Sequence, residues 1–400
     1  APWRARAALW GVFRGWGRAG AGPTPRRVGR GAPAGAPGAP LILTGCYAQT
    51  GGGEAASLPG VALVVGPQDR DRLPELALRY LRDKKPRRIV RPPGSARGFI
   101  DLPVRTFGGH TRAWLKIQDG CQQFCTYCQI PLARGPVRSL PLARVIEEAG
   151  GLAEHGYREL VLTGIHLGAY GTDLPDRPTL ARVVASLADI RGLVRLRLGS
   201  VEPNDVTPEL IEALAASPQA CPHLHLPLQS GDDATLARMG RPYRAADYGR
   251  LLASLRRELP GLAVSTDLMV GFPGETEAQF VSSLSFAREM GFSRLHIFPF
   301  SARPGTAAAA FENRPPRRVI GERARRAAEA AAEMSLRYNR SLLGTEVMVL
   351  VEECGGGLCS GLAGQYVEVR FAGGADLRNA VVPVRVDGAD AEALTGTLAD

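Results

Sequence analysis

Residues 116–135 read KIQDGCQQFCTYCQIPLARG, with three cysteines inside eight residues at Cys121, Cys125 and Cys128. The spacing is C-x3-C-x2-C. Thiolates are soft, anionic ligands that suit iron. An iron–sulfur cube takes four ligands and this loop offers three, so the fourth iron would be open to an exogenous ligand. A structural zinc site wants four protein ligands, commonly as two C-x2-C pairs, and no second pair stands nearby. A chain of 400 residues needs no disulfides to build a core. Three clustered cysteines among seven therefore read as metal ligation in a reducing compartment, not as a disulfide framework.

Working outward, the loop follows the first of six strand candidates. These are Trp114–Ile117, Glu159–Thr163, Val194–Gly199, His223–Leu228, Ala263–Val270 and Arg294–Pro299. Helix candidates fall between them at Leu142–Glu154, Thr179–Asp189, Pro208–Ala216, Ala245–Glu258 and Glu275–Met290. The alternation predicts an α/β fold, a partial (β/α)6 barrel whose sites form at the carboxyl ends of the strands. Upstream, Leu41–Thr44, Val61–Val65 and Arg88–Val90, with a helix near Arg72–Leu81, predict a small parallel sheet; Pro92–Arg97 reads as a linker. Downstream, an Ala/Arg/Glu helix over Arg317–Leu342 precedes alternating segments at Glu346–Glu352, Gln365–Phe371 and Ala380–Val386, which predict a small all-β barrel.

The expected organisation is therefore a segment 1–38, a truncated α/β domain 39–97, the partial barrel 107–342 and a β-barrel 343–400. Residues 1–38 are rich in Arg, Gly, Ala and Pro and carry no organising periodicity, as in a disordered stretch, a transit-type leader or sequence foreign to the native frame. Net charge is +10, but seven arginines lie in the first forty residues, which leaves a modest +3 elsewhere. That balance favours an anionic partner such as nucleic acid. No apolar run is long enough to predict a membrane span.

Thr163-Gly164 ends a strand, where backbone groups can meet the amino end of a ligand. Ser200 and Glu202 lie just past another strand, where a carboxylate can bind ribose hydroxyls, and His225 and Gln229 end the next. Each has an ordinary alternative in loop capping or core hydrogen bonding. Arg134 and Arg138 follow the cysteine loop and face either phosphate or carboxylate groups or plain solvent. Phe272-Pro273-Gly274 reads as a turn. Cys354 and Cys359 flank a glycine-rich hairpin and suit a structural or free-thiol role, since two ligands complete no metal site.

The cysteine loop after the first barrel strand resembles the signature of radical S-adenosylmethionine (SAM) enzymes. That resemblance implies a [4Fe–4S] cluster on Cys121, Cys125 and Cys128, SAM at the open iron, and Tyr127 at the aromatic position near the adenine. Further strings resemble the methylthiotransferase branch: TGCYAQ at 44–49, ELVLTGIHLGAYG at 159–171, RLRLGSVEP at 195–203, HLHLPLQSGDDATLARMGRPY at 223–243, STDLMVGFPGET at 265–276 and FPFSARPGT at 298–306. Their wording is most similar to the subgroup that makes the 2-methylthio form of threonylcarbamoyladenosine at position 37 of tRNA. The cofactor-binding residues implied are Tyr127, Thr163, Gly164, Ser200, Glu202, His225 and Gln229. A tRNA substrate, an electron donor such as flavodoxin or ferredoxin, a cytoplasmic location and a monomer are also implied. The C-terminal barrel resembles the RNA-binding TRAM module, with Arg370, Arg378 and Arg385 suited to phosphate.

The family also carries an auxiliary cluster on three N-terminal cysteines. Cys46 matches the third, and no cysteine precedes it in this sequence. Three readings therefore stand: a tRNA methylthiotransferase, a radical SAM enzyme unable to insert sulfur, and a non-catalytic RNA-binding protein.

Overall fold

The computed structural model describes residues 40–95 and 98–399. The segment 1–38 lies outside the described residues. The chain forms two compact units, one holding residues up to 102 together with 120–136 and 301–309, the other holding 103–119, 137–300 and the remainder from 310.

In the first unit, β1 (Leu41–Thr44), β2 (Val61–Val65) and β3 (Arg87–Ile89) form a parallel sheet in that order. Apart from Thr44 at the end of the first, LILT and VALVV are apolar because helices cover both faces, the usual reading for parallel strands. Between them run α1 (Cys46–Thr50), α2 (Gly52–Ala56) and α3 (Leu73–Asp83). Leu41, Leu43 and Val64 pack with Ala48 and Ala55 on one face; Ile42, Leu63 and Val65 pack with Leu76 on the other. Burying each of the larger side chains stabilises the fold by about 2 kcal/mol. The short α1, α2 and α4 (Ile130–Arg134) were not legible in the sequence.

The second unit carries β4 (Arg112–Lys116), a two-stranded ribbon of β5 (Gln118–Asp119) and β6 (Arg138–Ser139), and then five more β-strands that alternate with helices. In chain order these are α5 (Leu142–Glu154), β7 (Glu159–Thr163), α6 (Leu180–Leu187), β8 (Arg195–Leu198), α7 (Pro208–Ala216), β9 (His223–His225), α8 (Asp233–Met239), α9 (Ala245–Glu258), β10 (Ala263–Val270), α10 (Glu277–Met290) and β11 (Arg294–Pro299). The parallel sheets β4-β7-β8 and β9-β10-β11 meet where Ser200 bridges His225. This is the partial (β/α)6 barrel that the alternation implied. Helix starts follow capping chemistry: Thr179, Thr207 and Thr276 each accept from a backbone N–H in the first turn. The long α11 (Arg317–Arg340) buries Ala327, Ala330 and Met334 along one stripe.

The C-terminal segment closes into a barrel ordered β12-β13-β14-β16-β15, from β12 (Glu346–Gly355), β13 (Leu358–Ala363), β14 (Glu368–Ala372), β15 (Val381–Ala389) and β16 (Ala393–Leu398). Its core is Val347, Val349, Val351, Val369, Phe371, Val384 and Leu394. Sequence reading found three of these strands and missed β13 and β16, which are short and interrupted by glycine. Cys354 and Cys359 face each other across β12 and β13 and are joined in a disulfide, so the hairpin is cross-linked and those two cysteines are not free thiols.

This β-barrel docks on the amino ends of the parallel strands. Arg195 Nη1 donates to the Leu362 carbonyl at 2.8 Å, Arg197 Nη1 to the Gly364 carbonyl at 2.9 Å, and Arg112 pairs with Glu352 at 2.9 Å. Glu159, wholly buried, receives Arg197 at 2.8 Å and Arg195 at 3.3 Å. Burial alone would raise the Glu159 pKa, but the Arg197, Arg195 and Arg112 charges outweigh it and hold the carboxyl below its ordinary value. Tyr366 lies over Arg197 and Arg112. Among the described residues no helix is long and apolar enough to cross a membrane.

Candidate active site

The cysteine loop belongs to the first unit. Its two ends are drawn together by the Cys121 N–H donating to the Gly135 carbonyl at 3.0 Å. Gly120 and Gly135 sit at φ +81° and +76°, and a Cβ on them would lie 1.9 Å from the Pro136 oxygen and 2.2 Å from the Pro93 oxygen. Only glycine fits either place. Pro93, inside the stretch expected to be a linker, is thus a packing partner of the loop. The Cys128 N–H donates to the Cys125 carbonyl at 2.9 Å, the Ala308 N–H to the Thr126 carbonyl at 2.8 Å, and Gln129 Nε2 to the Pro304 carbonyl at 2.8 Å. Hydrogen bonds of the backbone and of Gln129 set the path of the loop, and within it the Gln123 N–H donates to the Cys121 sulfur at 3.4 Å. Cys125 is buried; Cys121, Cys128 and Tyr127 are half-buried.

The donor set fits an iron–sulfur cube. It consists of three soft ligands on one constrained loop, with no carboxylate or histidine among residues 120–136 to supply a fourth. Among the described residues no three His, Cys, Asp or Glu side chains converge closely enough to hold a single metal ion.

Cys46 opens α1 in the same unit, and its Sγ accepts from Arg134 Nε at 3.2 Å. Arg134 is only 3% exposed, so the solvated reading of this residue is wrong, and so is that of Arg138, which is buried against Asp119 at 3.5 Å.

In the second unit, Thr163 closes β7 and Gly164 follows it. Gln118, fully buried, accepts the Ile165 and His166 N–H groups at 2.9 and 2.8 Å and so fixes the turn after Thr163-Gly164. His166 is paired with Asp205 at 2.6 Å. Ser200 bridges to His225 through the backbone. Glu202 is committed to an ion pair with the buried Arg241, whose Nε donates to Tyr243. Gln229 holds φ +65° while its backbone bonds to Asp267 and Met269 on β10. A non-glycine residue in that region costs about 1–3 kcal/mol and persists where surrounding structure enforces it.

His225 ends β9, as the sequence placed it, and takes the hydrogen-bonded alternative. Its Nδ1 meets Ser265 Oγ at 2.9 Å and its Nε2 meets Asp267 at 3.3 Å. Its ring lies 5.6 Å from that of His296. Gln118, Arg241, Asp267 and His296 were missed by sequence reasoning. Gln118 and Asp267 stood inside the motif strings, but nothing in the strings says which way they point. Cys221 is buried beneath Arg197, and burial pushes its thiol up to about 11. It is a core residue and no nucleophile.

Residues 115–287 match the Radical SAM superfamily. The chain is 39% identical over 352 residues to "Threonylcarbamoyladenosine tRNA methylthiotransferase MtaB" of Bacillus subtilis, covering 86% of this chain and 78% of the relative. It is 39% identical to the protein of the same name from Thermotoga maritima, covering 84% and 76%. The Chlamydia pneumoniae relative of that name is 34% identical, covering 90% and 82%. Among solved structures, the coproporphyrinogen III oxidase HemN of Escherichia coli aligns with a TM-score of 0.43 at 15% identity, over 56% of this chain and 52% of that one.

Proposed function

The chain belongs to the threonylcarbamoyladenosine tRNA methylthiotransferases of the radical SAM superfamily, and from that premise we propose that it places a methylthio group on C2 of N6-threonylcarbamoyladenosine at position 37 of tRNA. It is an enzyme, a tRNA methylthiotransferase that uses a [4Fe–4S] cluster and SAM. The observation that carries this is the identity to the Bacillus relative, 39% over 86% of the chain.

Cys121, Cys125 and Cys128 would hold the cluster, and the missing fourth protein ligand would leave room for SAM. When bound and reduced, the cluster supplies the electron that splits a carbon–sulfur bond of SAM. Tyr127, beside Cys128, would pack on the adenine. Backbone groups at Thr163 and Gly164 would meet the amino end of the nucleotide, on a turn supported by Gln118 through the Ile165 and His166 N–H groups. Ser200 and the Glu202–Arg241 pair would meet its ribose, and the enforced turn at Gln229 would set one wall. An electron donor such as flavodoxin or ferredoxin would supply the reducing equivalent.

A second cluster does not fit the described residues. Cys46 is the one cysteine outside the triad in the first unit, and Arg134 bonds to its sulfur.

The test is anaerobic reconstitution with iron and sulfide, incubation with SAM, a reductant and tRNA carrying threonylcarbamoyladenosine, and mass spectrometry of the nucleosides. A product heavier by a methylthio group is expected. SAM cleavage without that product would favour the reading that lacks sulfur insertion. No SAM cleavage at all would overturn the enzymatic reading.

A further inference from the structure

Three adjacent strands of the second unit, β9, β10 and β11, turn a polar face away from the helices. Side chains alternate along a strand, so His225, then Ser265, Asp267 and Met269, then Arg294, His296 and Phe298 share that face. The register pairs Ser265 with both His225 and Arg294, and Asp267 with His296. The face is tiered. Arg294 and Ser265 stand toward the amino ends, Asp267 and His296 in the middle, and Met269 and Phe298 toward the carboxyl ends, where sites of such folds form.

The middle tier is not saturated. His225 is satisfied by Ser265 and Asp267. His296 is exposed, and among the described residues nothing hydrogen-bonds to its ring. Protein packed around it nonetheless desolvates the imidazole and lowers its pKa. Among the described residues no carboxylate pairs with Arg294, and its charge reaches both His296 and His223.

We infer that this face reads the N6 substituent of the target adenosine, with His296 as the specificity-determining contact. The inference rests on the substrate reading above. A threonylcarbamoyl group carries a carboxylate, a hydroxyl and ureido N–H groups. The base would pack on the apolar tier of Met269 and Phe298. His296 then donates to the carboxylate under the positive field of Arg294, and the second oxygen of Asp267 accepts from an N–H or the hydroxyl. An unmodified adenosine leaves these groups without partners, and an isopentenyl substituent would place hydrocarbon on them. Both are penalised.

The experiment measures binding of the full-length reconstituted protein to anticodon stem-loops by fluorescence anisotropy. One stem-loop carries threonylcarbamoyladenosine, one plain adenosine, and one the modification with its carboxylate capped as an amide. The wild type is expected to prefer the first over the other two. His296→Ala should cut that preference about tenfold, the loss of one hydrogen bond to a charged group. His296→Asn, which keeps an N–H donor, should cut it less. An undiminished preference in His296→Ala overturns the inference alone, as does equal binding of the capped and uncapped groups. A wild type that does not distinguish modified from plain adenosine overturns the substrate reading and the inference with it.

Discussion

The cysteine loop at 120–136 and the strand starts at Glu159, Arg195 and Arg197 both concentrate reactive or charged side chains, and they treat them in opposite ways. At the strand starts every charge is spent. Glu159 takes both arginines, and the arginines turn their remaining donors onto carbonyls of the C-terminal barrel. In the loop two glycine turns and a short hydrogen-bonded stem set the path, and they carry three thiols on one short stretch of chain. A buried network of ion pairs and carbonyl bonds is scaffolding; three soft ligands on one constrained loop are a candidate site. Buried polar groups therefore mean little until their partners are counted.

The sharpest break of this contrast is Cys125→Ala. Iron per chain and visible absorbance should fall to background and SAM cleavage should vanish, while the melting temperature of the iron-free protein stays close to wild type. A large loss of stability in the iron-free state would make Cys125 a core residue after all.

The mirror experiment is Glu159→Gln. Removing one partner of a buried pair leaves Arg195 and Arg197 uncompensated and costs about 3–5 kcal/mol, read by chemical denaturation. Cluster content of the folded fraction should not change. The sign with pH follows from the lowered pKa. The contribution of Glu159 is fully present above the ordinary carboxylate value and is lost as pH falls through the lower folded one. The stability gap between wild type and variant should therefore be flat from neutral pH down and close only under acid conditions. A gap that widened on acidification would contradict the pairing.

Gly135→Ala should come next, at roughly 1–3 kcal/mol, because a Cβ there strikes the Pro93 carbonyl and the φ is left-handed. Iron uptake should drop with it, since the loop stem opens. Unchanged iron uptake would separate the stem from the site. The smallest effect belongs to Arg370→Ala. Its ion pair with Glu368 is fully exposed, so no measurable change in melting temperature is expected. Any change in tRNA affinity would report phosphate contact alone.

Much of this was written in the sequence, and the omissions have physical causes. The six parallel strands and the helices between them announce themselves by apolar runs and by Thr caps. The cysteine spacing gives the loop its chemistry without any structure. The docking network was hidden. RLRL at 195–198 reads as a strand with one wet face, yet both arginines point into protein because carbonyls about 165 residues later in the chain cover them. His225 looked like a strand-end ligand, and only the register of β9 against β10 shows it held by Ser265 and Asp267. Arg134 and Arg138 left an anion-facing and a solvated reading open for the same reason: a sequence does not show what desolvates a side chain. Strands β13 and β16 were lost because glycine breaks their alternation.

The most direct test of the central claim, three thiolates and one open iron, is the electron paramagnetic resonance spectrum of the reduced, reconstituted protein with and without SAM. A [4Fe–4S] signal that shifts when SAM is added, and that is absent from the Cys121→Ala/Cys125→Ala/Cys128→Ala chain, is the expected result. A spectrum indifferent to SAM, or one that survives loss of the three cysteines, would contradict it.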